Sequence, residues 1–141
     1  MRLVLDTSVI VSSFRSRLGA SRGIMDAFDR HQFDLLLSTA MLLEYEDVLT
    51  RSEQMEVHGF SLHEISEVLD TLAARAIRIT PNFTWRPQLS DPADEHVLAT
   101  AINGHAAAIV THNVTDFLPA ALAFGIQVVR PGRIIKERSL R

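Results

Sequence analysis

The sequence predicts an α/β domain: a mostly parallel, twisted sheet of about five strands with helices on both faces. Three observations carry this expectation. Short apolar runs at residues 3–5, 34–37, 77–80, 108–111 and 126–129 are each too brief for a helix, and each is closed within two residues by Asp, Ser, Pro or Asn. Amphipathic stretches separate them, and strands alternating with helices imply right-handed crossovers and a parallel sheet. Finally, 141 residues with 47% apolar content can fill one core without disulfides or structural zinc. One domain is expected over residues 1–131, followed by a basic C-terminal tail over 132–141.

In chain order, residues 9–30 should hold one or two helices and residues 39–50 another. The clearest helix covers 61–75, where Leu62, Ile65, Leu69, Leu72 and Ala76 make one stripe and Glu64, Glu67, Asp70 and Arg75 lie largely off it. Ser61 serves as its N-cap, and Glu64 three residues on completes a capping box. Further helices are expected over 92–103 and roughly 119–124. The longest loop is residues 81–91, with two prolines and Trp85.

Four acids fall where such a sheet would gather them, because the working site of an open α/β sheet lies outside the carboxyl ends of its strands. Asp6 follows the first strand and either caps the next helix or binds a cation. Glu44 has Ala40, Met41, Asp47 and Val48 one turn away, at the edge of an apolar face where a carboxylate needs a partner or a cation. Glu46 and Asp47 read as surface charge. The segment Asp91-Pro92-Ala93-Asp94-Glu95 opens a helix, with Asp91 as N-cap and Pro92 at the first helical position. Asp94 faces inward with Leu98 and Ala101, and Glu95 shares Leu98 and Ile102, so both are candidates for the third acid. Asp116 follows the most strand-like run; Asn113 can shape an Asx turn there and Asp116 can cap a short helix. Capping explains each acid singly and explains poorly why four share one sheet edge.

Composition narrows the chemistry. The absence of cysteine excludes a thiol nucleophile, a Cys-ligated zinc and disulfides. Residues 1–13 carry one basic residue and an apolar run broken by Asp6, a poor secretion signal, and no run of about 18 apolar residues suits a membrane helix. A soluble, cytoplasmic protein is the expectation. The net charge of -3 decides little, since metal bound to four carboxylates would shift the balance. Arginine outnumbers lysine thirteen to one, which suits bidentate phosphate contacts and equally a GC-rich coding sequence. Arg15, Arg17 and Arg22 follow the first strand; Arg130, Arg133, Lys136, Arg138 and Arg141 load the tail. Of the six histidines only His112, beside the fourth strand, is placed to approach a phosphate. Phe83 and Trp85 can stack a base or anchor a loop.

Taken together, Leu-Asp-Thr-Ser near the N-terminus, Ser38 six residues before Glu44, Asp-Pro-x-Asp-Glu-x-x-Leu-Ala-x-Ala from Asp91 to Ala101, and Ile-Val-Thr-x-Asn-x-x-Asp-Phe from Ile109 to Phe117 resemble the PIN-domain nucleases. The likeness spans residues 2 to about 131 and is greatest to the stand-alone proteins that include the VapC-type toxins of toxin–antitoxin pairs. The resemblance implies an acidic quartet of Asp6, Glu44, Asp94 and Asp116, supported by Thr7 or Ser8 and by Asn113, with Asp91, Asp94 and Glu95 competing for the third place. It also implies an endoribonuclease leaving a 3′-hydroxyl and a 5′-phosphate, a homodimer, and an antitoxin partner.

Carboxylate oxygens suit Mg²⁺ or Mn²⁺, and the lack of Cys and of any helical His-x-x-x-His pair argues against zinc. A haloacid-dehalogenase-type phosphatase needs a second Asp two residues after the first, where Ser8 stands, and Lys136 is the only lysine. A non-catalytic PIN-like module binding RNA or protein remains the alternative.

Overall fold

The computed structural model describes residues 1–82 and 87–138, the side chain of 138 excepted; Phe83, Trp85 and Arg141 lie outside the described residues. Five parallel strands, β1 (Arg2–Leu5), β2 (Asp34–Leu37), β3 (Ile77–Arg78), β4 (Ala108–Val110) and β5 (Gln127–Val129), form one sheet in the order β3-β2-β1-β4-β5. Leu3, Val4, Leu5, Leu35, Leu36, Leu37, Ile109 and Val110 are all buried, as strands covered on both faces require. The five-stranded sheet and its parallel sense are those predicted.

The helices are α1 (Thr7–Arg15), α2 (Ala20–Asp29), α3 (Thr39–Leu49), α4 (Ser52–His58), α5 (Leu62–Arg75), α6 (Pro92–Asn103), α7 (Ala120–Ala123) and α8 (Pro131–Arg138), with a 3-10 turn at Val114–Phe117. The capping box of α5 is present: Ser61 Oγ accepts from the Glu64 N–H at 3.1 Å and Glu64 Oε1 from the Ser61 N–H at 3.0 Å. Ile65, Leu69 and Leu72 carry its buried stripe. Two expectations for this helix need correction. Leu62, in the capping turn ahead of the stripe, is 62% exposed, whereas Arg75 lies over the Phe28 ring, 4.3 Å from its centroid, with Nη2 donating to the Phe28 carbonyl at 2.6 Å. Its aliphatic stem and planar head let a cation close an apolar joint.

β3 stops two residues earlier than predicted, just ahead of Pro81, which has no N–H to offer a ladder. The C-terminal segment expected as a basic tail begins with α8, whose Ile134 is buried in the same core as the sheet. Among the described residues no helix is long and apolar enough to cross a membrane.

Candidate active site

The chain starts in the middle of the sheet, steps outward through β2 and β3, and returns to lay β4 on the other side of β1. The strand order therefore reverses between β1 and β4, and the crevice outside their carboxyl ends is where such a fold places its chemistry. Asp6 stands there. It occupies the N-cap position of α1 with extended backbone, yet its side chain makes no capping bond. Instead Oδ2 accepts from Ser8 Oγ at 2.8 Å and from Thr111 Oγ1 at 2.7 Å. Each hydroxyl gives its one proton to Asp6 and accepts an N–H from the loop after β4, Ser8 from His112 at 3.1 Å and Thr111 from Asn113 at 2.9 Å. The Asp6 N–H also donates to the Val110 carbonyl at 2.9 Å. Thus β1, α1 and β4 jointly fix one carboxylate oxygen, while Oδ1 has no donor among the described residues.

Asp94, on the first turn of α6, is half-buried, and its carboxyl is pushed up to about 7. Burial is the main cause, followed by the negative charges of Asp6, Asp91, Asp116 and Glu44. Four carboxylates thus bear on the fifth: Asp6 at the N-cap of α1, Glu44 on α3, Asp91 at the N-cap of α6 and Asp116 in the 3-10 turn. Glu44 is half-buried and borders a small cavity of about 50 Å³ with Thr7 and His96. Asp116 is exposed inside the 3-10 turn and caps nothing; Asn113 occupies the N-cap position there without a side-chain bond. Among the described residues no Arg or Lys pairs with Asp6, Glu44, Asp94 or Asp116, and no three of the acids and histidines stand close enough to form a ready-made metal shell. The acids share a negative field rather than a closed coordination sphere.

Two neighbours of Asp94 have structural tasks. Asp91 caps α6, its Oδ1 accepting from the Ala93 N–H at 2.9 Å. Glu95 is buried and turned to the preceding loop, where Oε1 accepts the N–H groups of Gln88 and of Leu89, the latter at 2.9 Å. Its Oε2 is buried with no hydrogen-bond partner among the described residues. Glu95 therefore clamps a loop. Replacing it by Ala should cost about 2–3 kcal/mol in urea unfolding, since two bonds to a charged acceptor are lost. Glu95→Gln, which keeps the accepting oxygen and removes a buried charge, should unfold close to the parent.

The arginines singled out by position separate. Arg15 is exposed at the end of α1, and its Nε donates to Gln54 Oε1 at 3.1 Å. Arg17 is exposed in the connection to α2, and Arg22 pairs with Asp26 at 3.3 Å and lines a groove between α2 and α5. Asp47 pairs with Arg51 at 2.7 Å, consistent with surface charge. His112 Nε2 lies 2.8 Å from Ser21 Oγ.

Two residues escaped the sequence. Thr111 was legible only as the last residue of a strand. Tyr45 is wholly buried, and its hydroxyl donates to the carbonyl of Leu5, the residue before Asp6. Burial, with the charge of Asp6 second, pushes its pKa well above the ordinary phenol range and keeps the hydroxyl a donor. The signal was the spacing Met41, Tyr45, Leu49, one inward stripe of α3 with a single polar tip. Because α3 also carries Glu44, this bond couples the positions of Glu44 and Asp6. Tyr45→Phe leaves the carbonyl without this donor and should lower stability by about 1 kcal/mol, measured by urea denaturation.

A doubly wound α/β domain whose switch point gathers uncompensated carboxylates is the class that fold and site define. The PIN domain family matches residues 2–115, and this chain belongs to that family. No curated relative matches the sequence. Among solved structures it is similar to a chain of VapBC-1 from nontypeable Haemophilus influenzae, with a TM-score of 0.61 and 18% identity over 94% of this chain and 99% of that one. It is also similar to a chain of VapBC2 from Rickettsia felis, solved bound to a DNA fragment from their promoter, with a TM-score of 0.61 and 14% identity over 92% of this chain and 98% of the other. At these identities the likeness is one of fold.

Proposed function

We propose that the chain is a Mg²⁺- or Mn²⁺-dependent endoribonuclease, the toxin of a type II toxin–antitoxin pair. The observation that carries this reading is the half-buried Asp94 carboxyl, raised by burial and by the charges of Asp6, Asp91, Asp116 and Glu44, with no basic side chain paired to these acids among the described residues. The donor set fits the ion: oxygen only, one Asp6 oxygen without a donor, and an excess of negative charge that a hard divalent cation would neutralise. When bound, such an ion would polarise the phosphodiester and lower the pKa of water. Asp6 and Asp94 are assigned to hold it. Ser8 and Thr111 keep Asp6 oriented, Glu44 orients the attacking water or shares a second ion, and Asp116 completes the set. Thr7 and Asn113 border the same crevice as supporting polar groups.

The toxin assignment draws on the PIN family and on the VapBC complexes that share the fold. The corresponding partners are an antitoxin and a second copy of the chain, and the corresponding compartment is the cytoplasm. Incubation with structured and single-stranded RNA in Mg²⁺, Mn²⁺ and EDTA tests the chemistry. Metal-dependent 5′-phosphorylated products are expected. If no substrate yields them, the chain is a PIN-like binding module instead. Growth arrest on expression, relieved by the product of a neighbouring small gene, is the corresponding test of toxicity.

A further inference from the structure

We propose that the groove between α1, α3 and the loop after β4 holds a single strand of RNA leading away from the acids, and that it contacts ribose as well as phosphate. The proposal rests on the ribonuclease reading and says where its substrate lies. The groove has a volume of about 440 Å³, within the range of a ligand-binding cleft, and no acidic side chain lines it among the described residues. It begins at Thr7, beside Asp6, and reaches Arg15 eight residues later, roughly 12 Å along the helix axis.

The lining divides by chemistry. Val11 of α1 and Val48 of α3 give an aliphatic surface on which a base or the carbon face of a sugar can rest. Thr7 Oγ1, Ser12 Oγ and the Asn113 amide make no hydrogen bond among the described residues, although their neighbours Ser8, Thr111 and His112 are engaged. Hydroxyl and amide groups both donate and accept, which is what a ribose 2′-hydroxyl requires and a deoxyribose cannot use. Arg15 has no ion-pair partner among the described residues, and its bond to Gln54 restrains the guanidinium at the far end. At that distance from Asp6 it meets a neighbouring phosphate and not the reacting one, so it contributes to strand binding without touching the chemistry. The opposite polarity of the two parts matters: the acids alone would repel a polyanion, whereas this groove, lined among the described residues by no acid and by the cation of Arg15, adjoins them and can retain it.

Fluorescence anisotropy of the full chain carrying Asp6→Asn, in Mg²⁺, against a short 5′-fluorescein-labelled single-stranded RNA and the DNA of the same sequence tests this. RNA should bind at least about fivefold more tightly than DNA. Arg15→Ala should weaken both about tenfold and reduce the slope of log affinity against log salt by about one. Ser12→Ala should narrow the gap between RNA and DNA, and Arg133→Ala, on the groove beside β5, should change neither. Circular dichroism confirms that each variant is folded. Equal affinity for RNA and DNA, or parental binding by both Arg15→Ala and Ser12→Ala, would overturn the proposal. Cleavage assays on the parent keep the two readings apart: metal-dependent cutting with parental binding by both variants removes the groove alone, whereas groove-dependent binding without cutting removes the nuclease.

Discussion

Asp6→Asn should lose metal-dependent RNA cleavage by at least about 10³-fold, the several kcal/mol of charge stabilisation a liganding carboxylate commits to a bound ion, while folding as the parent does. The fold survives because the Asn amide keeps an oxygen to accept from Ser8 and Thr111, which hold Asp6 Oδ2 at 2.8 and 2.7 Å. Without metal the variant should melt at or above the parent's temperature, since it removes one of the charges that bear on Asp94. With Mn²⁺ the order should reverse, because only the parent gains from the ion. Parental cleavage rates in the variant would refute the site assignment.

The second large effect is a pH dependence of stability in the metal-free protein. Asp94 is pushed up to about 7 in the folded chain, above its ordinary value of 3.8. Below the unfolded value the carboxyl is neutral in both states and the fold bears no penalty. Between about pH 4 and 7 only the unfolded chain gives up the proton, so stability falls as pH rises, and above 7 the loss is complete. The melting temperature should therefore be lower at pH 8 than at pH 5, by a margin that Asp94→Asn removes. A divalent cation competes with that proton, so its stabilisation should grow across the same window. An identical pH profile for parent and Asp94→Asn would show that this carboxyl does not carry the negative field of the site.

How far the sequence revealed all this depended on whether a signal was local. Strands whose apolar runs are buried on both faces could be placed to within a residue or two, and Ser61 with Glu64 announced the start of α5 because a capping box is a four-residue motif. α4 passed unnoticed for the converse reason: none of its seven residues is buried, so it has no apolar stripe to detect. The acids were legible as positions, because Asp6 and Asp116 come after strands, Asp94 opens a helix and Glu44 stands at the edge of an apolar helical face. Their division of labour was not. Glu95 resembled a ligand until the loop at Gln88 and Leu89 came back to meet it, and Thr111 gained meaning only from a partner 105 residues away.

That long separation also governs when the crevice comes into being. β1 emerges first during synthesis, and Asp6 with it, but the Thr111 hydroxyl and the Val110 carbonyl that fix it arrive only with β4, after β2 and β3. Contacts this distant in sequence close late because loop-closure entropy must be overcome first. Until β4 has been made and docked, the first acid stands without the strand that orients it, so the crevice is assembled by folding across the sheet and not by any one segment.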